Sequence, residues 1–198
     1  MQNYIYGAGG HGKVVLDAMQ AAHIDCAGFV DDKEISSLAG LSVLKLSDLV
    51  LESSIYLHLA IGNCKTREAI VAQLKNAKYF SVTHPSTVIA KTAQIGLGTF
   101  LAAQSIIAPD VKIGIHCVIN HAAVVDHDCL VGDYTHIAPK SSLGGGVKVG
   151  RGVLIGAGAV VLPGIVIADN AVIAAGAVVT KNVAAGMTVV GSPAKSIE

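Results

Sequence analysis

The residues best equipped for chemistry fall in one stretch, Asn120-His121-Ala122-Ala123-Val124-Val125-Asp126-His127-Asp128-Cys129, where histidines and carboxylates interrupt an aliphatic background. His127 is followed at once by Asp128. An exposed imidazole beside an acid is a candidate general base, because its pKa lies close to working pH. Eighteen residues further on stands Gly145, inside Gly144-Gly145-Gly146. Bare backbone there offers an N–H for an oxyanion, and the same three glycines would equally serve a tight turn. The nearest thiol, Cys129, and the serines are not arranged around His127 as a nucleophile would be.

Eighteen matters because of the element that must position these groups. From Ile89 to Val179 every sixth residue is aliphatic, sixteen times without insertion: Ile89, Ile95, Leu101 and so on through Ile167, Ile173 and Val179. The residue two before each is small or compactly branched, as at Ala93, Ser105, Cys117, Ala123, Cys129, Thr135 and Ala177. A period of six suits neither a helix nor a lone strand, but it suits a β-solenoid in which equivalent residues stack in rows. Three hexads per coil put His127 and Gly145 on successive coils at one corner. They also put His121, Pro139, Ala157 and Ala175 in a second column, whose small residues leave a groove. His136 lies nine residues from both His127 and Gly145, across the prism from them, where it is a surface histidine unless a neighbouring copy faces it.

The first eighty residues read differently. Tyr4 to Tyr6 predicts a buried strand, Gly7-Ala8-Gly9-Gly10-His11-Gly12 a glycine-rich turn, and the residues to about Ala22 a helix; a second strand, Ala27 to Val30, ends in Asp31-Asp32. This βαβ unit with Gly-x-Gly-x-x-Gly spacing points to a diphosphate on Gly9, Gly10 and the start of the helix, with Asp31 placed to accept from a ribose or sugar hydroxyl. A third strand, Ile55 to Ile61, ends in Gly62-Asn63; a helix from about Lys65 to Lys75 and a strand from Tyr79 to Val82 follow. Three or four strands make half of a dinucleotide fold, enough for one nucleotide. The loop from Lys33 to Ser47 carries no legible motif. Pro85 in Thr83-His84-Pro85-Ser86 marks the joint, so residues 1–83 are expected to form the nucleotide domain and 84–198 the solenoid with its C-terminal tail.

Composition excludes several alternatives. Lys+Arg and Asp+Glu balance at 14 each, which leaves no electrostatic footprint for nucleic acid or an anionic membrane. No apolar run approaches the ~20 residues of a membrane span. Cys26, Cys64, Cys117 and Cys129 have no metal-ligand spacing, so no metal is expected. With no basic n-region followed by an apolar segment at the start, and with thiols expected to be reduced, the reading is cytoplasmic.

The hexads, the Gly7 to Gly12 run, Phe29-Val30-Asp31-Asp32, Ala60-Ile61-Gly62-Asn63, Val125-Asp126-His127-Asp128 and Val190-Gly191-Ser192-Pro193-Ala194-Lys195 together resemble one family. It is the group of bacterial sugar acetyltransferases that includes the UDP-4-amino-sugar N-acetyltransferases of bacillosamine synthesis and the sialic acid O-acetyltransferases. The resemblance implies an α/β half-Rossmann domain followed by an all-β left-handed parallel β-helix, assembled as a homotrimer and using acetyl-CoA. It further implies that His127 is the base and Asp128, where the family usually has Glu, its partner. His136, Gly145, Ala157 and Ala175 would bind acetyl-CoA, and Gly9, Gly10, His11, Asp31, Asp32 and Gly62 a UDP-sugar. Transfer of acetyl to the 4-amino group is the activity expected; O-acetylation, another nucleotide-linked amino sugar, an NAD(P)-dependent oxidoreductase and a non-catalytic scaffold are the alternatives.

Overall fold

The computed structural model describes residues 2–197. Its N-terminal part is a twisted sheet of β1 (Gln2–Tyr6), β2 (Gly28–Val30), β3 (Ser37–Leu38), β4 (Leu41–Leu44), β5 (Ile55–Leu59) and β6 (Lys78–Tyr79), with α1 (Gly10–Ala21) after β1 and α2 (Cys64–Gln73) after β5. The order across the sheet is β3-β4-β2-β1-β5-β6, all parallel except the β3–β4 hairpin. The segment without a legible motif therefore supplies two strands: Val43 and Leu44 extend the sheet beside Phe29 and Val30.

The solenoid is a three-faced prism of two-residue strands. Val82–Thr83, Phe100–Leu101, Val118–Ile119, His136–Ile137, Leu154–Ile155 and Val172–Ile173 stack in parallel on the first face, which the tail strand Thr188–Val190 extends. Val88–Ile89, Ile106–Ile107, Val124–Val125, Ser142–Leu143, Val160–Val161 and Val178–Val179 make the second face, and Gln94–Ile95 through Val166–Ile167 the third. The register is eighteen residues per coil throughout, as with Val118 against His136 and His136 against Leu154.

Each hexad contributes one strand and one corner for identifiable reasons. The sixth-position aliphatics from Leu101 to Val179 are buried inside the prism together with the small residues two before them, Cys117 and Cys129 included. A chain that turns every six residues needs one left-handed backbone conformation per corner, and Gln104, Asp110, His116, Ala122, Asp128, Tyr134, Lys140 and Asn170 adopt it with φ between 50° and 62°. Glycine takes the same place at Gly146, Gly152, Gly158, Gly164 and Gly176.

The first rung begins at Val82, ahead of residue 84, where the sequence places the start of the second domain. The expected Tyr79 to Val82 strand divides, Lys78–Tyr79 pairing with Tyr56 and Leu57 and Val82–Thr83 with Phe100 and Leu101. No hinge separates the two parts. Val15, Met19 and Phe29 share a core with Val82, Phe100, Ala102 and Val118, so the α/β layer is packed onto the first face.

Candidate active site

His127 stands at the corner between the second and third faces, after Val125 has turned inward. Its side chain is 60% exposed and that of Asp128 66%. The turn itself fixes the pair. Asp128 occupies the left-handed corner position, Asp126 Oδ1 accepts from the His127 backbone N–H at 2.8 Å, and Asp128 Oδ2 meets His127 Nδ1 at 2.8 Å. A carboxylate accepts only, so Nδ1 carries the proton and Nε2 presents its lone pair outward. The hydrogen bond to Asp128, aided by the charge of Asp126, raises the His127 pKa above its usual 6.5. The corner holds a base with one free nitrogen, oriented through the other.

Gly145 lies directly over that ring. A Cβ there would come within 2.5 Å of His127 Cε1 and 2.6 Å of Nε2, so only glycine leaves the imidazole in place. Of the three glycines, Gly146 is the left-handed corner and donates to the His127 carbonyl at 2.8 Å, while the Gly145 N–H has no acceptor among the described residues. The tight turn thus falls to Gly146, and the Gly145 N–H stays unengaged.

Ala157 and Ala175 occupy the corner between the first and second faces, in the column of His121 and Pro139. Within one chain the whole second face separates them from His127 and Gly145. His136 belongs to neither corner. Expected at the prism surface, it is covered by the chain's own N-terminal part: Nδ1 donates to the Gly62 carbonyl at 3.0 Å, and Nε2 accepts from Asn120 Nδ2 at 3.1 Å. Of the four residues that the resemblance groups around acetyl-CoA, only Gly145 stands next to His127 in one chain; His136 is instead brought to Gly62 and His11. The physical reason is that β5 ends against the first face, on which His136 is a strand residue.

Gly9 and Gly10 begin α1 with open space where a side chain would stand, whereas a Cβ on Gly12 would overlap the Gly7 oxygen and one on Gly7 would meet the Ala60 oxygen at 2.8 Å. The first turn of α1 has no side-chain cap, which leaves its N–H groups free for an anion. His11 follows, edge-on to Phe100 and stacked on His136 with ring centres 6.5 Å apart; its Nε2 is buried without a partner among the described residues. Burial, with His136 next in weight, pushes the His11 pKa down to about 4.

Asp31, expected to accept from a hydroxyl, is also engaged by the chain itself. Both of its oxygens hold backbone, Oδ2 the Ala8 N–H at 2.7 Å and Oδ1 the Lys33 N–H at 3.0 Å, so Asp31 ties the glycine-rich turn to the end of β2. Asp32 accepts from the Tyr6 hydroxyl at 3.3 Å. A cleft of about 470 Å³ opens beyond them, lined by Asp31, Lys33, Ser36, Leu44, Lys45 and Asp48. A second cleft, of about 390 Å³, runs from Gly62 and Asn63 along Leu154, Val172 and Thr188 on the first face. Sequence reasoning gave no role to Asn120, Asp126 or Arg67. Asp126 was visible beside the histidine, but nothing in the order of residues marks a helix arginine as an interdomain contact. No cluster of three metal-ligating side chains occurs among the described residues, and no helix there is long and apolar enough to cross a membrane.

Two family descriptions match the chain: "PglD N-terminal domain" over residues 3–74 and "Bacterial transferase hexapeptide (six repeats)" over residues 146–181. A GDP-perosamine N-acetyltransferase from Escherichia coli O157:H7 is 31% identical over 159 residues, 73% of this chain and 71% of that one. A UDP-N-acetylbacillosamine N-acetyltransferase from Bacillus subtilis (strain 168) is 34% identical over 110 residues, half of each chain. Among solved structures, a histidine-to-alanine variant of the GDP-perosamine N-acetyltransferase from Caulobacter crescentus, in complex with CoA and GDP-perosamine, superposes with a TM-score of 0.94 at 32% identity, covering 100% of this chain and 97% of that one. The fold and the corner define a solenoid acyltransferase class, and within it the chain belongs to the family of nucleotide-sugar N-acetyltransferases with a PglD-type N-terminal domain.

Proposed function

We propose that the protein transfers acetyl from acetyl-CoA to the 4-amino group of a UDP-linked amino-deoxy sugar, with His127 as general base. The observation that carries this reading is the His127–Asp128 pair, with Nε2 free, beneath the unengaged N–H of Gly145. The neutral amine attacks the thioester carbonyl carbon, and the resulting oxyanion accepts from the Gly145 N–H. Nε2 takes the amine proton; collapse of the tetrahedral species breaks the C–S bond, and the imidazolium returns the proton to the leaving CoA sulfur. The products are the acetamido sugar and CoA thiol, with no acyl-enzyme between.

The diphosphate takes the first turn of α1 at Gly9, Gly10 and His11, and the nucleoside lies toward the cleft beyond Asp31 and Asp32. The sugar passes Gly62 toward a neighbouring copy. Assembly as a homotrimer is supported by the second face, where Val88, Ile106 and Val160 are 60%, 40% and 39% exposed, whereas on the third face exposed Leu130 and Val166 alternate with Lys112 and Lys148. Both corner columns border that face. Burying it between copies sets His127 and Gly145 of one beside Ala157 and Ala175 of the next, with acetyl-CoA along the seam. CoA bound to the Caulobacter relative, together with its nucleotide sugar, supports the same pair of ligands here. Cytoplasmic supply of both ligands and four free cysteines fit that compartment.

Incubation with acetyl-CoA and a panel of UDP-, GDP- and CMP-linked amino and hydroxy sugars, followed by mass measurement of the products, tests the reading. A UDP-amino sugar gaining one acetyl group is expected. Exclusive use of a GDP-linked amino sugar, of the kind for which the Escherichia coli GDP-perosamine N-acetyltransferase is named, would correct the nucleotide, and acetylation of hydroxy sugars alone would overturn the amine.

A further inference from the structure

The most unusual charge in the molecule is Arg67 on α2, which is 1% exposed and pairs with no carboxylate among the described residues. Its five hydrogen-bond acceptors are all main-chain carbonyls, with the Cys64 thiol beside them. Nε donates to His116 at 2.7 Å, Nη1 to Ile61 at 2.6 Å and Gly62 at 3.3 Å, and Nη2 to Tyr134 and Thr135. A buried cation is costly unless its donors are satisfied, and five N–H groups here find five acceptors. Its sequence neighbour Glu68 is turned outward to Arg151.

These carbonyls come from two places that must keep register. Ile61 and Gly62 follow the end of β5 at Leu59, beyond the reach of the sheet ladder. His116 and Tyr134 are corners of successive coils, two positions ahead of the first-face strands that carry Val118 and His136. His136 then donates to the same Gly62 oxygen that Arg67 holds.

We propose that Arg67 is a positioning residue for the nucleotide-sugar site, a guanidinium that fixes the Ile61–Gly62 loop against the His116 and Tyr134 corners and so against His136. It does not touch the ligand; it sets the distance between the glycine-rich cradle and the solenoid. Its charge, paired with no carboxylate among the described residues, also favours a dianionic diphosphate at the first turn of α1, where it acts on His11. The inference rests on the proposed use of Gly9, Gly10, His11 and Gly62 by a nucleotide sugar.

Arg67→Lys and Arg67→Ala test it, with UDP, GDP and acetyl-CoA titrated separately by calorimetry. Both variants should bind UDP or GDP about tenfold or more weakly, as expected when charged hydrogen bonds to a loop are lost. Acetyl-CoA affinity should be unchanged, and low-millimolar guanidinium should restore nucleotide binding to Arg67→Ala by filling the vacated site. Equal loss of both ligands, unchanged nucleotide affinity or failure of guanidinium to rescue a folded Arg67→Ala would overturn the proposal. So would unfolding of both variants where the wild type is native, which would make Arg67 a strut of the fold. If the wild type itself binds neither UDP nor GDP, the nucleotide reading fails and this inference falls with it.

Discussion

Histidines in two regions of this molecule titrate in opposite directions. At the outer corner His127 sits in solvent between Asp126 and Asp128, and its pKa is raised. In the seam between the α/β layer and the first face, His11, His58 and His116 are pushed down to about 4, chiefly by burial. The seam adds a second pressure, because the carboxylate-free charge of Arg67 opposes protonation of each of them and of His136. One residue type therefore holds a proton more readily where it is wet and acid-flanked, and is a neutral hydrogen-bonding or packing group where it is dry and beside a cation. The number of histidines in the chain says nothing about which of them works.

The largest test of this contrast is His127→Ala, expected to lower turnover by roughly 10²–10⁴ with the melting temperature unchanged. Wild-type kcat in that variant would move the chemistry elsewhere. Gly145→Ala should follow at about 10²-fold, because its methyl group occupies the space of the imidazole beneath it and disturbs the oxyanion donor. A crystal structure of that variant should show the His127 ring displaced.

Asp128→Asn should cost about tenfold at neutral pH and move the pH profile. The base works only when neutral, so kcat/KM falls as pH drops through the His127 pKa. Losing the carboxylate lowers that pKa, and the acid limb should shift to lower pH. An unshifted limb would show that Asp128 does not tune the base.

A test of stability, not turnover, belongs to the seam. His58 is buried, with Nδ1 donating to the Phe80 carbonyl at 3.0 Å, and its pKa falls from 6.5 to about 4. The unfolded state then binds more protons than the native state between these values, so stability is full above about 6.5 and lost as pH falls toward 4. One such group accounts for on the order of 3 kcal/mol by pH 4. His58→Asn keeps a donor for Phe80 and removes the titration, and thermal melts from pH 7 to 4 should show a shallower decline. A slope equal to wild type would assign the acid sensitivity to another group.

Much of the fold could be read because it repeats. A period of six stacks equivalent residues, so counting eighteen from His127 finds Gly145 and counting back two from each aliphatic finds the inward cysteines. What could not be read lies mostly where the non-repeating α/β layer meets the solenoid. The burial of His136 and the carbonyl cage of Arg67 depend on contacts between residues tens of positions apart, and the hairpin inside the Lys33 to Ser47 segment, though local, is held to the sheet through Phe29 and Val30. Asp31 shows the same limit on a smaller scale: its place after β2 was legible, but its engagement by Ala8 was not.

The sequence by itself determined the coil register, the inward rows and the vertical pairing of His127 with Gly145, because periodic backbone hydrogen bonding converts spacing into position. The tertiary structure decided which histidines are neutral, which faces are covered and what holds the Ile61–Gly62 loop. Those outcomes follow from desolvation and from charge at a distance, and both depend on neighbours that chain order does not specify.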